Sequence, residues 1–145
     1  MLSIYPACFF KDEDGYTVIF PDLENGNLAT CGENLEEAIA MSIDCLAGYI
    51  HWCQECGDEI PNPSSISDVD IEAIEKELIE EGCPASSEKF TTMISVDVEA
   101  YAKEHFEKSV KKTLTIPAWL NEKALENNIN FSQVLQEALL VKLKA

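Results

Sequence analysis

The segment Val110 to Pro117 limits what this chain can fold into. Lys111, Thr113 and Thr115 fall on one side of an extended segment. Val110, Leu114 and Ile116 fall on the other, with Lys112 interrupting. Pro117 stops the pattern, and the text after it is helical. A lone strand of this length leaves its ladder groups without partners and does not persist in water. The simplest partner is the same strand of a second chain. That pairing would bury Leu114 and Ile116 beneath helices and display Lys111, Thr113 and Thr115 twice on a two-stranded ribbon. A ribbon of that width fits the DNA major groove.

The flanking residues agree with this arrangement. Pro117 suits a helix start, where its fixed φ is an advantage and its missing N–H is not needed. Trp119, Leu120, Ala124 and Leu125 give the first helix an apolar side. Asn127 and Asn128 end it, because asparagine tolerates the left-handed conformation. Asn130 and Gln133 have capping-box spacing and open a second helix, with Val134, Leu135, Ala138, Leu139 and Leu143 along one side. The N–H groups of Phe131 and Ser132 would then point out of the helix end, where a phosphate can bind.

The runs Lys-Lys-Thr-Leu-Thr-Ile-Pro (111–117) and Asn-Ile-Asn-Phe-Ser-Gln-Val-Leu-Gln-Glu-Ala-Leu (128–139) resemble the ribbon-helix-helix family of DNA-binding domains. The resemblance covers about the last 35 residues. It implies that Lys111, Thr113 and Thr115 face the bases and that the amides of Phe131 and Ser132 hold a backbone phosphate. It also implies a homodimer on operator DNA. Such ribbons often carry arginine, and this chain contains none.

Charge divides the chain. Residues 1–100 hold three lysines against twenty-two acids, a net −19, whereas residues 101–145 hold seven lysines against five acids. Nucleic-acid binding is implausible for the first part and open to the second. An acidic domain joined to such a tail suggests a basic protein partner for the acidic part, beside the plainer reading of solubility. No run of eighteen apolar residues exists and the first residues lack the pattern of a signal peptide, so a cytoplasmic location is expected. The six cysteines are then expected to be reduced and mostly buried.

The acidic part opens with strands over residues 1–10 and 16–20, joined by a charged turn ending in Asp14-Gly15. A short third strand follows at Asn27 to Cys31, giving a three-stranded meander. The longest helix begins at Glu33 or Asn34 and ends at Gly57, with Leu35, Ala38, Ile39, Ser42, Leu46, Tyr49 and Ile50 at helical spacing. A second, very acidic helix is predicted over Asp68 to Glu81, capped by Ser67 or Asp68. Phe90, Thr92, Ile94, Val96 and Val98 alternate as a fourth strand joining the meander. Asp97 to Lys108 reads as a short connecting helix.

Gly15-Tyr16, Phe20-Pro21-Asp22-Leu23, Thr30-Cys31-Gly32 and Leu35-Glu36-Glu37-Ala38, in this order, resemble the N-terminal domain of HicB-type antitoxins. Ile60 to Ser64 fits that family's proline loop. The resemblance implies an α+β chain with three parts. Residues 1–98 would be a degenerate ribonuclease H-like, HicB-type meander-plus-helix domain that binds toxin. Residues 99–109 would be a linker helix, and residues 110–145 a ribbon-helix-helix. It further implies that the acidic domain neutralises a small, basic, RNA-cleaving HicA-type toxin by covering its RNA surface and catalytic histidine, while the tail represses the operon. The alternative is a stand-alone ribbon-helix-helix regulator with a ligand-sensing N-terminal domain.

A ribonuclease H-like fold raises nuclease chemistry, which needs carboxylates gathered around metal ions. Here Asp12, Glu13, Asp14, Asp22 and Glu24 sit in turns and loops, so no catalytic residue, metal or cofactor is expected. Cys53 and Cys56 form a Cys-x-x-Cys, but no second ligand pair follows, so packing at the helix end is the default.

Overall fold

The computed structural model describes residues 1–107 and 109–144. Lys108 and Ala145, at the ends of the expected connecting helix and tail, lie outside the described residues. The chain divides into two compact units, residues 1–108 and 109–145.

In the first unit an antiparallel sheet is built from β1 (Ser3–Asp12), β2 (Gly15–Phe20), β3 (Leu28–Gly32) and β4 (Glu88–Val96), in the order β3-β2-β1-β4. The β1–β2 turn forms because Asp12 Oδ1 accepts from the N–H groups of Asp14 (2.8 Å) and Gly15 (3.1 Å). Every residue from Tyr5 to Phe10 is buried. That unbroken run reflects a central strand covered on both faces. Tyr5, Ala7 and Phe9 meet the long helix α1 (Leu35–Cys56), together with Val18, Phe20, Leu46 and Ile50. Cys8, Phe10 and Ile19 meet helix α2 (Ile71–Glu80) through Val69, Ile71, Ile74 and Leu78.

Helix α1 starts where expected. Asn34 Oδ1 accepts from the Glu37 N–H (2.8 Å), and the Glu37 carboxylate accepts from the Glu33 N–H (2.9 Å). It ends at Gly57, which takes φ +72°. Leu35 and Ile39, expected on the core stripe, are exposed, while Ala47 and Cys53 are buried in it. In the first turns of α1 the residues that face the core are Ala38 and Ser42, with Leu35 and Ile39 beside them on the exposed flank. Helix α2 starts later than predicted, because Ile66–Asp68 forms a separate 3₁₀ turn and Asp70, not Ser67 or Asp68, accepts from the Ala73 N–H (3.1 Å). The fourth strand lies two residues earlier than predicted. It ends because Asp97 caps helix α3 (Val98–His105), accepting from the Ala100 N–H at 3.2 Å. Within α3, Val98 and Ala102 are buried and the Tyr101 hydroxyl donates to Asp44 of α1 (2.9 Å), so this helix packs as part of the first unit.

The second unit holds helices α4 (Ala118–Glu126) and α5 (Phe131–Lys144) after a segment, 109–117, that is neither helix nor strand. Pro117 caps α4 rather than entering it, with ψ 141°, and its carbonyl accepts from Leu120 and Asn121. Asn128 takes φ +54°, while the Ile129 N–H returns to the Ala124 carbonyl (3.0 Å). No described helix is long and apolar enough to cross a membrane.

Candidate functional site

The segment expected to form a ribbon is neither helix nor paired strand in the single chain, and it does not join the four-stranded sheet. Its alternation is kept in part: Leu114 and Ile116 separate from Thr113, but Val110 lies on the same recess as Lys111, and Lys112 borders both recesses. Lys112, Leu114 and Ile116 line a groove of about 500 Å³ with Asn121, Phe131, Val134 and Leu135. Lys111 and Thr113 line a neighbouring recess with Val110, Lys112, Ser132 and Gln136. Three of the five residues singled out in the sequence, Lys111, Thr113 and Ser132, therefore share one recess. Phe131 sits instead in the apolar groove, and Thr115 lines neither. The Asn130 side chain accepts from the Gln133 N–H (3.1 Å), the first half of the expected capping box. The Gln133 amide turns away to Glu137 (3.2 Å). The N–H groups of Phe131 and Ser132 have no hydrogen-bond partner among the described residues.

No described side chain in this unit is fully buried, and only Ala124 and Leu135 are half-buried. Val110, Leu114, Leu125, Val134 and Leu139 are each about half exposed or more. A unit this small, with its apolar side chains this exposed, closes no core within the single chain.

The acidic unit holds features that sequence reasoning did not reach. A recess of about 390 Å³ between α1 and the start of β3 is lined by Glu24, Leu28, Asp44, Cys45, Tyr49 and Trp52. Trp52 is 56% exposed. The signal available was a tryptophan set off the buried stripe of the helix. Burial, reinforced by the Asp44 carboxylate, raises the Tyr101 hydroxyl above its ordinary pKa. On the opposite face Lys89 bridges Glu72 (2.6 Å) and Glu75 (3.1 Å), tying β4 to α2. Hydrogen bonds from Ser86 and then Lys89 hold the Glu75 carboxyl below its ordinary range. Cys53 is buried and Cys56 exposed, and no group of three potential ligands among the described residues is placed to hold a metal ion.

Comparison with known proteins bears on both units. Residues 5–143 match the family described as HicB_like antitoxin of bacterial toxin-antitoxin system. Antitoxin HicB 2 of Photorhabdus laumondii subsp. laumondii is 38% identical over 68 residues, which are 47% of this chain and 48% of that protein. The chain thus aligns with about half the length of this curated relative. The solved structure of a toxin–antitoxin complex from Streptococcus pneumoniae contains a chain 35% identical to this one. The likeness covers 98% of this chain and 99% of that one, with a TM-score of 0.59. It extends through both units and the mixed α+β arrangement described above. The chain belongs to the HicB-like antitoxin family of bacterial toxin–antitoxin systems.

Proposed function

We propose that this chain neutralises a small, basic, RNA-cleaving toxin of the HicA type with its first unit and represses its own operon with its second. The observation that carries the reading is the second unit's lack of a core. Leu114 and Ile116 line an open apolar groove beside α5, and the segment before α4 has no strand partner in the single chain. A second copy supplies both, pairing the two segments as a ribbon and closing the groove. Lys111, Thr113 and Thr115 then face the major groove, with the amides of Phe131 and Ser132 toward a phosphate. The similar Streptococcus pneumoniae chain, solved as part of a toxin–antitoxin complex, supports a toxin partner.

The first unit acts by charge and cover. A net −19 over residues 1–100 draws a lysine-rich toxin quickly at low salt and more slowly at high salt. Once docked, the unit excludes RNA from the toxin's cleavage surface.

The test separates the two roles. Lys111→Ala combined with Thr113→Ala removes two base-facing contacts from each copy. Each contact is worth about 1–3 kcal/mol, so operator binding should weaken by at least about tenfold. Growth rescue from the co-expressed toxin should be unchanged. Loss of both activities together, or of neither, would overturn the division of labour.

A further inference from the structure

Strand β4 pairs with β1 over nine consecutive residues, from Ser3 opposite Val96 to Lys11 opposite Glu88. It is also the last strand of the order β3-β2-β1-β4, so no described strand meets its other side. Free strand edges present unpaired N–H and C=O groups and are usually blunted by charge, proline, a bulge or shortness. The opposite edge, β3, is blunted by being five residues long. β4 is not blunted. Phe90 to Val96 reads Phe-Thr-Thr-Met-Ile-Ser-Val, seven residues without charge, glycine or proline, and its register with β1 shows no bulge.

We propose that this edge is a second self-association surface, at which two copies of the chain pair β4 with β4 antiparallel about a two-fold axis at Met93. Two four-stranded sheets then become one continuous sheet. This interface is separate from the ribbon and does not depend on it.

The register follows from which residues share a face. Phe90, Thr92 and Ile94 lie opposite Phe9, Ala7 and Tyr5, on the α1 side. Thr91, whose hydroxyl lies 3.6 Å from Cys8 Sγ, and Lys89, paired with Glu72 and Glu75, lie on the α2 side, and Met93 alternates with them. Two copies related by a two-fold through a continuous sheet place same-face residues opposite each other, so the axis falls on a residue. Only an axis at Met93 pairs the whole uncharged run with itself. Phe90 then faces Val96 of the second copy and Thr92 faces Ile94. On the other side Thr91 faces Ser95 and Met93 faces Met93. Aromatic with β-branched and hydroxyl with hydroxyl are favoured cross-strand pairs.

The run carries no carboxylate, so it offers a cationic strand nothing that the rest of the acidic unit lacks, whereas it complements itself along its length. The negative charge of each unit opposes pairing. That repulsion is screened over about 10 Å at 0.1 M salt, so β4 pairing strengthens with salt, whereas docking of a basic strand weakens.

Sedimentation of the full-length chain carrying Leu114→Asp, which removes the ribbon, tests this. The expected species is a dimer that tightens between about 0.1 M and about 1 M salt. Met93 is 39% exposed, so its replacement leaves the β1–β4 pairing in place. Adding Met93→Glu sets like charges opposite each other and should give monomer, as should Met93→Lys. An equimolar mixture of the Glu and Lys chains should return to dimer. The proposal is overturned if the Leu114→Asp chain is monomeric at both salt concentrations while its far-UV spectrum shows a folded first unit. It is equally overturned if Met93→Glu leaves the dimer intact, or if the mixture stays monomeric.

Discussion

The carboxylate of Asp22 takes two hydrogen bonds from Ser64, one from its backbone N–H at 2.7 Å and one from its hydroxyl at 2.6 Å, across 42 residues of chain. A third tie lies nearby, where the Tyr5 hydroxyl donates to the Pro61 carbonyl. Together they fasten the stretch after α1 to the start of β1 and the end of β2. The neighbouring Leu23 is fully buried. The Phe-Pro-Asp-Leu turn is therefore a clasp: its leucine enters the core and its aspartate holds a distant loop.

Asp22→Ala strands both Ser64 donors. Hydrogen bonds to a charged acceptor contribute about 1.5–3 kcal/mol each, less when partly exposed. The expected loss is about 2–3 kcal/mol, read as a lower urea midpoint for the first unit with unchanged m. Ser64→Ala removes only the hydroxyl bond and should cost about 1 kcal/mol. Equal effects from the two variants would mean that the clasp does not act as drawn.

Gly32, in the Thr-x-Gly stretch, has a different reason for being glycine. A Cβ there would lie 2.4 Å from the Ala38 nitrogen and 2.7 Å from its Cα, both backbone atoms of α1. The first turn of the helix would have to move. Overpacking of this kind costs about 1–3 kcal/mol, so Gly32→Ala should lower the thermal midpoint clearly. Gly57→Ala is the control. Its Cβ meets nothing within 4 Å, and its φ of +72° alone should cost about 1 kcal/mol. A Gly32→Ala chain as stable as wild type would refute the close approach.

These two positions show why parts of the fold were legible in the sequence. Turn chemistry and caps are local, so Asp14-Gly15, Asn34, Gly57 and Asn128 announced the ends of their elements. The burial of Tyr5 to Phe10 was legible only as an apolar strand, because two-sided cover depends on α2 returning to the far face. Leu35 and Ile39 misled because periodicity marks an apolar side of the helix wider than the strip that is buried, which in the first turns is Ala38 and Ser42. The link from Asp22 to Ser64 left no trace, since nothing in either residue's neighbourhood points to the other. In the tail, the alternation of Lys111 to Ile116 and the Asn130 cap were readable. The placement of Phe131 in the apolar groove was not, because a helix-start position fixes where its amide points and says nothing of its ring.

The bridge between Lys89, Glu72 and Glu75 gives a pH dependence whose sign can be worked out. Glu75 titrates below its ordinary value of 4.5 in the folded chain, owing first to Ser86 and then to Lys89. Its contribution is thus present above 4.5 and lost as pH falls through the lowered value. Lys89 is raised above 10.5 by Glu72 and then Glu75. Its contribution is present below 10.5 and lost as pH rises through the raised value. Between those limits the network is intact. Lys89→Met should therefore lower stability at neutral pH, and its difference from wild type should shrink on acidification below 4.5. Urea midpoints of both chains across that range decide it; a difference that stays constant would place the effect in packing and not in charge.

Helix α4 has nine residues and α5 fourteen, lengths at which isolated helices are marginal in water. With no fully buried side chain among the described residues of this unit, its helices are expected to depend on the partner copy. Leu114→Asp would place a charge in the paired ribbon's core, where an unpaired carboxylate costs several kcal/mol. In a Met93→Glu background, which removes β4 pairing, the chain should sediment as a dimer, and adding Leu114→Asp should make it a monomer. The same change should cost the far-UV helical signal of residues 118–144 and leave the first unit's unfolding transition in place, because the two units are separately compact. Loss of helix without loss of the first unit's transition is the signature of a tail folded by association. If the helical signal survives in the monomer, the tail stands alone, and the case for a shared ribbon loses its physical basis.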